Sequence, residues 1–327
     1  MGPAARHVGG FALLLAAVGS VAIHLAYRRD LATARERVAG STVVATPCGP
    51  IEYAVAGSGQ PVLFVHGAGG GFDQGLMLGA PLVERGYRVI AMSRFGYLRT
   101  PLPADASAAA QADAHVCLLD ALGIPRAGVV GASAGGPSAL QLAIRHPQRV
   151  GKLVLMVPAA FVPRPPGEAT VRVPPGVAPL FDTALKSDLL FWALLRAAPS
   201  LMTRSLLGTP TEVVAAASPA ERARVAEILN SILPVSPRRL GLLNDADVTT
   251  HLTRYELERV TAPTLAISVA DDLYGTYDVA RYTAEQIPGA RFVGYPNGGH
   301  VFVGRQEAVT AELSAFLRDS QLTAASR

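Results

Sequence analysis

A serine hydroxyl is a weak nucleophile at neutral pH. It becomes effective only beside a base that takes its proton, most often a histidine, which a carboxylate in turn orients. Three positions of this 327-residue chain offer that set: Ser133, Asp272 and His300. Ser133 lies in Gly131-Ala132-Ser133-Ala134-Gly135. A G-x-S-x-G pattern alone is weak, because short patterns recur by chance, and its context is what counts. Here an apolar run, AGVVGAS, passes directly into a helix-like stretch, AGGPSALQLAIRH. A tight turn between strand and helix lifts the serine oxygen above the sheet edge. Glycines on either side of it let strand and helix cross closely. The helix then points its unpaired N–H groups at any negative charge that develops on a substrate oxygen.

Of the seven histidines, His7 and His24 belong to the N-terminal segment. His115 and His146 fall on helical patterns, and His251 in a polar stretch. His300 follows the run RFVGY and the loop Pro296-Asn297-Gly298-Gly299, at the end of the last expected strand, and is the best-placed base. The acid is expected at the end of the preceding strand, where Asp271 and Asp272 are adjacent. Side chains near a strand end alternate in direction, so one of the pair faces the imidazole; Asp272 is the choice, with Asp271 left to cap a turn. Two N–H donors are needed for the oxyanion. Ala134 follows the nucleophile, and Ala68, with Gly69 as the fallback, sits in His66-Gly67-Ala68-Gly69-Gly70-Gly71. His66 is expected to brace that loop. The glycines do not read as a phosphate cradle, since no P-loop lysine and no G-x-G-x-x-G spacing before a helix is present.

These residues need a scaffold. Short β-rich runs at Val43–Thr46, Ile51–Ala56, Pro61–His66, Arg88–Ser93, Ala127–Ser133, Lys152–Val157, Thr264–Val269 and Arg291–Tyr295 alternate with helical stretches at Gly71–Arg85, Ala106–Leu122, Ala134–His146, Thr276–Gln286 and Glu307–Arg318. Continuous apolar runs such as VLFVH and KLVLMV suit strands covered on both faces. The first two runs flank Pro47-Cys48-Gly49-Pro50 and read as an antiparallel hairpin. The expected fold is α/β, an open, mostly parallel sheet of about eight strands with helices on both faces. Residues 41–158 and 263–327 form its core. The interval 159–262 has no convincing strand. It opens with Pro163, Pro165, Pro166, Pro174 and Pro175 and continues as helices, including Thr183–Ala198 and Pro219–Leu233 capped by Ser218. An insertion after a central strand stands above the carboxyl edge of the sheet, so this interval is expected to be a helical cap over the site.

Taken together, HGAGGG, SRFGYLRTP, GASAGG, ADD and GGH resemble the α/β-hydrolase superfamily over about residues 42–318, and the order Ser133, Asp272, His300 is that family's order. The resemblance implies the α/β-hydrolase fold and acyl transfer to water. Ser133 would attack a carbonyl, His300 would shuttle the proton, Asp272 would fix the imidazole, and Ala68 and Ala134 would hold the oxyanion. It implies no metal and no organic cofactor. Ser93 stands where the family often has an acid. Serine at the elbow argues against dehalogenase or epoxide-hydrolase chemistry, which passes through an ester on a carboxylate. The substrate read from the triad and a Leu/Phe/Trp-rich cap is a small or lipid-like ester. The alternatives are an amide or C–C bond hydrolase or an acyltransferase using the same residues, and, in another class, a non-catalytic receptor or scaffold.

Composition narrows the partners. Half of the residues are apolar and 17% charged, which excludes disorder over most of the chain. The net charge of +4 comes from scattered arginines, only Lys152 and Lys186 being lysines, so no nucleic-acid groove is expected. Cys48 and Cys117 are too few and too far apart for a zinc site or a disulfide framework; they are expected unpaired, with a bond to each other as the alternative. Residues 1–40 read as a membrane segment and stalk. Gly9 to Tyr27 are 19 positions with one ionisable group, His24, enough for a helix to span a bilayer core. Tyr27, Arg28 and Arg29 suit the interface. Four arginines after the segment against Arg6 before it favour a cytoplasmic body on a retained anchor. A cleaved signal peptide, with a secreted or periplasmic product, is the alternative.

Overall fold

The computed structural model describes residues 3–163 and 182–318, with the side chains of the first helix described from Val18 onward. Eight strands form one sheet in the order β1-β2-β4-β3-β5-β6-β7-β8. They are β1 (Thr42–Thr46), β2 (Gly49–Ala56), β3 (Gln60–Val65), β4 (Tyr87–Met92), β5 (Ala127–Ala132), β6 (Val150–Met156), β7 (Thr264–Val269) and β8 (Arg291–Tyr295). The hairpin β1–β2 and the pair β2–β4 are antiparallel, and every other neighbouring pair is parallel.

Alternation along the central strands explains why their sequences are apolar at nearly every position. Leu63 and Val65 face one core with Ile90, Val129 and Leu153. That face is covered by α3 (Ala108–Ala121), α4 (Gly136–Arg145) and α10 (Thr276–Gln286), which contribute Leu118, Leu140 and Val279. Val62 and Phe64 face the opposite core, where Leu82 of α2 (Phe72–Val83) and Leu313 and Phe316 of α11 (Gln306–Arg318) meet them.

The third apolar cluster belongs to the insertion, which comprises α5 (Asp188–Ala197), α6 (Pro199–Leu206), α7 (Thr211–Ala215), α8 (Pro219–Asn230) and α9 (Arg239–Thr250). Ser218 caps α8 by accepting from the Glu221 amide at 3.2 Å, as the sequence suggests. The expected helix Thr183–Ala198 is interrupted: residues 182–185 are helical, and Ser187 then accepts from Leu190 N at 3.2 Å and starts α5 at Asp188. A side chain that competes for the backbone favours caps over helix interiors, which is why the boundary falls there. Of the expected proline-rich loop, Pro165, Pro166, Pro174 and Pro175 lie outside the described residues.

Two expectations are corrected. Residues 28–37 are no free stalk: they continue α1 (Pro3–Arg37), whose Leu31 and Ala34 are buried against the insertion. The Trp192 indole donates to Asp30 at 2.9 Å and packs edge-on against Tyr27, Arg196 also holds Asp30, and Arg37 donates to the Asn230 carbonyl at 2.9 Å. Cys48 and Cys117 are joined in a disulfide. The β1–β2 turn folds onto α3 and brings their Cα atoms to 6.2 Å, a separation a disulfide spans. Spacing in sequence could not reveal that proximity. Of the membrane expectation, Gly9–Ala17 lies outside the described side chains, and among the described residues no helix is long and apolar enough to cross a membrane.

The insertion is locked to the core through charge. Arg238, fully buried just before α9, forms a two-pronged pair with Asp73 of α2 at 2.7 and 3.1 Å and also donates to the Gly70 carbonyl. Removing one partner of such a pair leaves an uncompensated buried charge, so Asp73→Ala is expected to lower the unfolding free energy by about 3–5 kcal/mol. Urea denaturation measures it; a loss below about 1 kcal/mol would mean that water, not Asp73, solvates Arg238.

Candidate active site

At the carboxyl end of β5 the chain turns through Ser133 into α4. Ser133 has φ +50°, left-handed for a residue with a side chain. The turn is tight because its neighbours are glycines. A Cβ on Gly131 would lie 2.6 Å from Ala139 Cβ of α4, and one on Gly135 would lie 2.5 and 2.7 Å from the Val65 and His66 carbonyl oxygens. The second contact shows that Gly135 makes room for the end of β3 and not only for the crossing of its own strand and helix.

The structure brings Ser133, His300 and Asp272 into one line. His300 Nε2 is 2.8 Å from Ser133 Oγ, and His300 Nδ1 is 2.7 Å from Asp272 Oδ2. An ionised carboxylate only accepts, so Nδ1 carries the proton and Nε2 is left to accept from the serine hydroxyl. Asp272 is buried and fully engaged: it also accepts from the Tyr274 amide at 2.9 Å and from the Thr276 hydroxyl. Burial pushes its carboxyl up, but the His300 imidazole and the three hydrogen bonds outweigh that and hold it below its ordinary value of 3.8. Asp271 points elsewhere, accepting from the amides of Gly298 and Gly299 at 3.1 and 2.8 Å, and so shapes the loop that presents His300. Tyr274 packs edge-on against the His300 ring at 4.9 Å and closes that side.

The glycine-rich loop after β3 lies beside Ser133. Three amides between Gly67 and Gly70 are engaged: Gly67 N donates to Gln74 Oε1, Gly69 N to Tyr97 Oη and Gly70 N to Gly67 O. Gly69, the fallback donor, is therefore occupied. Ala68 lines the cavity with Ala134, and its amide has no protein acceptor among the described residues. His66 braces the loop from below. Its Nε2 accepts from Arg94 N at 3.0 Å, which assigns the ring proton to Nδ1, 2.7 Å from Gly67 O. Burial first, then Arg94, hold its pKa well below the usual histidine value, so it stays neutral. Of the other described histidines, His115 is buried with its pKa lowered to about 3, His146 pairs with Asp113, and His251 ends α9.

Ser133 and His300 open into a cavity of about 830 Å³. The insertion walls it with Leu185, Phe191, Leu207, Ile228, Ile232 and Asp245. Two contributors, Asp245 and Glu52, carried no sequence signal, and Arg94 stood inside SRFGYLRTP with no role assigned to it. At the place where Ser93 replaces an acid, Glu52 of β2 supplies the carboxylate from a neighbouring strand, accepting from Ser93 Oγ at 2.7 Å and pairing with Arg99 at 2.8 Å. A cross-strand substitution of that kind is invisible without the sheet order.

An open α/β sheet with a nucleophile on a strand–helix elbow, and an acid and a histidine on the loops after the last two strands, is the architecture of the α/β hydrolases. The chain belongs to the alpha/beta hydrolase fold family, whose model matches residues 60–304. Among solved structures, an alpha/beta hydrolase fold protein from Nakamurella multipartita superimposes with a TM-score of 0.67 at 31% identity, over 85% of this chain and 99% of that one. Among curated relatives, a 2-hydroxy-6-oxo-6-phenylhexa-2,4-dienoate hydrolase of Comamonas testosteroni is 38% identical over 35% of this chain and 44% of its own. A 2-hydroxymuconate semialdehyde hydrolase of Pseudomonas sp. (strain CF600) is 44% identical over 31% and 37%. The chain thus spans less than half of the length of these curated relatives.

The two aspartates separate by experiment. Asp272→Asn is expected to lower kcat/KM on p-nitrophenyl butyrate by about 10⁴-fold, because the imidazole loses its tautomer and orientation. Asp271→Asn, which perturbs only the loop, is expected to cost far less; equal losses would refute the division of roles. The depressed Asp272 carboxyl also makes a stability contribution that is present above pH 3.8 and lost as pH falls through its folded value. Urea midpoints between pH 7 and pH 3 should therefore fall less steeply in Asp272→Asn than in the parent protein.

Proposed function

We propose that the chain is a serine hydrolase that cleaves a small or lipid-like ester by acylation of Ser133. The observation that carries this reading is the Ser133–His300–Asp272 line, at 2.8 and 2.7 Å, opening into a largely apolar cavity. His300 takes the Ser133 proton as the oxygen attacks the carbonyl carbon. The carbonyl oxygen becomes an oxyanion held by the Ala68 and Ala134 amides. The tetrahedral adduct collapses as His300 returns the proton to the departing alcohol, and water activated by the same imidazole then releases the acid. The pocket volume suits a single ligand of modest size.

A second reading draws on the relatives. The substrate named for the Comamonas testosteroni relative carries a ketone and no ester or amide, so water added there breaks a carbon–carbon bond. The same base, nucleophile and donors serve that reaction. The test sets p-nitrophenyl esters of graded acyl length beside an anilide and a 2-hydroxy-6-oxo-dienoate. Ester turnover that falls by several orders of magnitude in both Ser133→Ala and His300→Ala is the expected result, as for residues acting as one unit. Turnover of the dienoate alone selects the carbon–carbon reading. No turnover, and no labelling of Ser133 by a fluorophosphonate in folded protein, selects a receptor.

We also propose that residues 9–27 hold the chain at a membrane. Val18 to Leu25 are exposed around the whole helix, and Leu189, Leu190, Leu194 and Leu201 of the insertion are exposed as well. A helix apolar all round has no partner in water. The Cys48–Cys117 disulfide favours an oxidising compartment for the body over the cytoplasmic face that the arginine count suggested. After alkaline washing, full-length protein is expected in the membrane pellet with its two thiols unreactive to alkylation until reduced. Recovery in the supernatant counts against the anchor, and free thiols count against the compartment.

A further inference from the structure

Asp245 is a buried carboxylate on the insertion, on the cavity wall, and the mechanism above gives it no part. Its partners are two residues of the turn after β4. Arg94 Nη1 and Nη2 each reach one of its oxygens at 2.6 Å, and Tyr97 Oη donates to Oδ2 at 2.6 Å. The backbone fastens the same contact: Gly241 N of α9 donates to Gly96 O at 2.9 Å, and Leu98 N donates to Pro237 O at 2.8 Å.

What Arg94 and Tyr97 do with their other atoms gives the arrangement its meaning. Arg94 Nε donates to His66 O at 2.9 Å, and Nη2 donates to Gly67 O at 3.2 Å. Tyr97 Oη, its own proton given to Asp245, accepts from Gly69 N at 3.2 Å. Gly67 O therefore receives three hydrogen bonds, from Arg94, from His66 Nδ1 and from Gly70 N. In a trans peptide the C=O and the N–H of the linked residue point in opposite directions. Clamping Gly67 O on the side of Arg94 thus turns the Ala68 N–H the other way. Tying Gly69 N to Tyr97 fixes the far end of the same residue. The direction of the Ala68 amide is set by these bonds, and two of them, from Arg94 Nη2 and to Tyr97 Oη, depend on a guanidinium and a phenol that one carboxylate holds.

We propose that Asp245 is a positioning residue. From the insertion it holds Arg94 and Tyr97, which grip the peptide groups on either side of Ala68 and aim the Ala68 N–H at the substrate oxyanion. The inference rests on the serine-hydrolase reading, and it ties formation of the oxyanion site to correct seating of the insertion. Asparagine has the shape of aspartate but replaces one accepting oxygen with a donor, which then faces Arg94 or Tyr97 unpaired.

The experiment uses the full chain, p-nitrophenyl butyrate as substrate and a trifluoromethyl ketone that forms an anionic tetrahedral adduct on serine. Asp245→Asn is expected to lower kcat by about 100-fold, the scale of a donor displaced by an ångström or less, with KM nearly unchanged. Affinity for the trifluoromethyl ketone should fall by the same factor as kcat/KM, because both report the oxyanion. Tyr97→Phe, which frees Gly69 N and removes one hydrogen bond to Asp245 while leaving the Arg94–Asp245 pair, should show the same pattern with a smaller loss. A folded Asp245→Asn protein with full kcat, or with its loss in KM alone, or with undiminished affinity for the ketone, overturns the proposal. Should Asp245→Asn fail to fold, a folded Tyr97→Phe protein with full kcat and ketone affinity overturns it equally. Ser133→Ala keeps the two questions apart: turnover surviving in that variant refutes the hydrolase reading itself, whatever Asp245 does.

Discussion

One backbone angle constrains the rest of the molecule. Ser133 is held at φ +50°, where a side chain costs roughly 1–2 kcal/mol relative to ordinary conformations. Nothing local relieves that cost. It is sustained by surroundings that leave no other path: Gly131 lets α4 cross β5, Gly135 lets the elbow sit against the end of β3, and the Ala159 amide pins the Ser133 carbonyl at 3.0 Å. With the hydroxyl fixed above the sheet edge, the loops after β7 and β8 have one place to deliver a carboxylate and an imidazole. Asp271, spent on the backbone of the Gly298-Gly299 turn, is part of the cost of delivering His300 there.

Much of this could be read from the chain, and the reasons are local. Strands buried on both faces have nothing to alternate, so VLFVH, GVVGAS, KLVLMV and TLAISV stand out as unbroken apolar runs. The elbow is a strand, a turn and a helix within a few residues, and its glycines are required by contacts with those same elements. His300 and Asp272 follow from their places after the last two strands. What escaped has the opposite character. The Cys48–Cys117 bond, the Glu52 carboxylate behind Ser93, the Arg94–Asp245 pair and the docking of α1 on α5 each join segments far apart in sequence. No periodicity or spacing encodes them; only the sheet order and the seat of the insertion do. The break before α5 was missed for a smaller reason, a serine cap at the fifth residue of the expected helix.

The insertion is joined to the core by buried charges as well as by apolar contact. Arg238–Asp73 and Arg94–Asp245 are both buried, and in each the guanidinium also donates to backbone carbonyls of the loop between His66 and Gly70. Such pairs add little net stability over well-packed apolar groups, because desolvation offsets the attraction, but they tolerate only one geometry. An apolar seam allows sliding with modest loss. Two forked arginines do not, and the loop they grip is the one that contains Ala68.

The first forty residues look like an appendage when written out, yet the end of α1 backs the helix that walls the cavity. It shields the Trp192 indole, occupies Asp30 with both Trp192 and Arg196, and packs on α5, whose Phe191 faces the cavity from the other side. Trimming the chain at residue 40 to obtain a tractable fragment would expose an aromatic ring, strand a cation and loosen the helix that shapes the binding chamber. The end of α1 and the insertion share one apolar cluster, and a change in either has to be accommodated by the other.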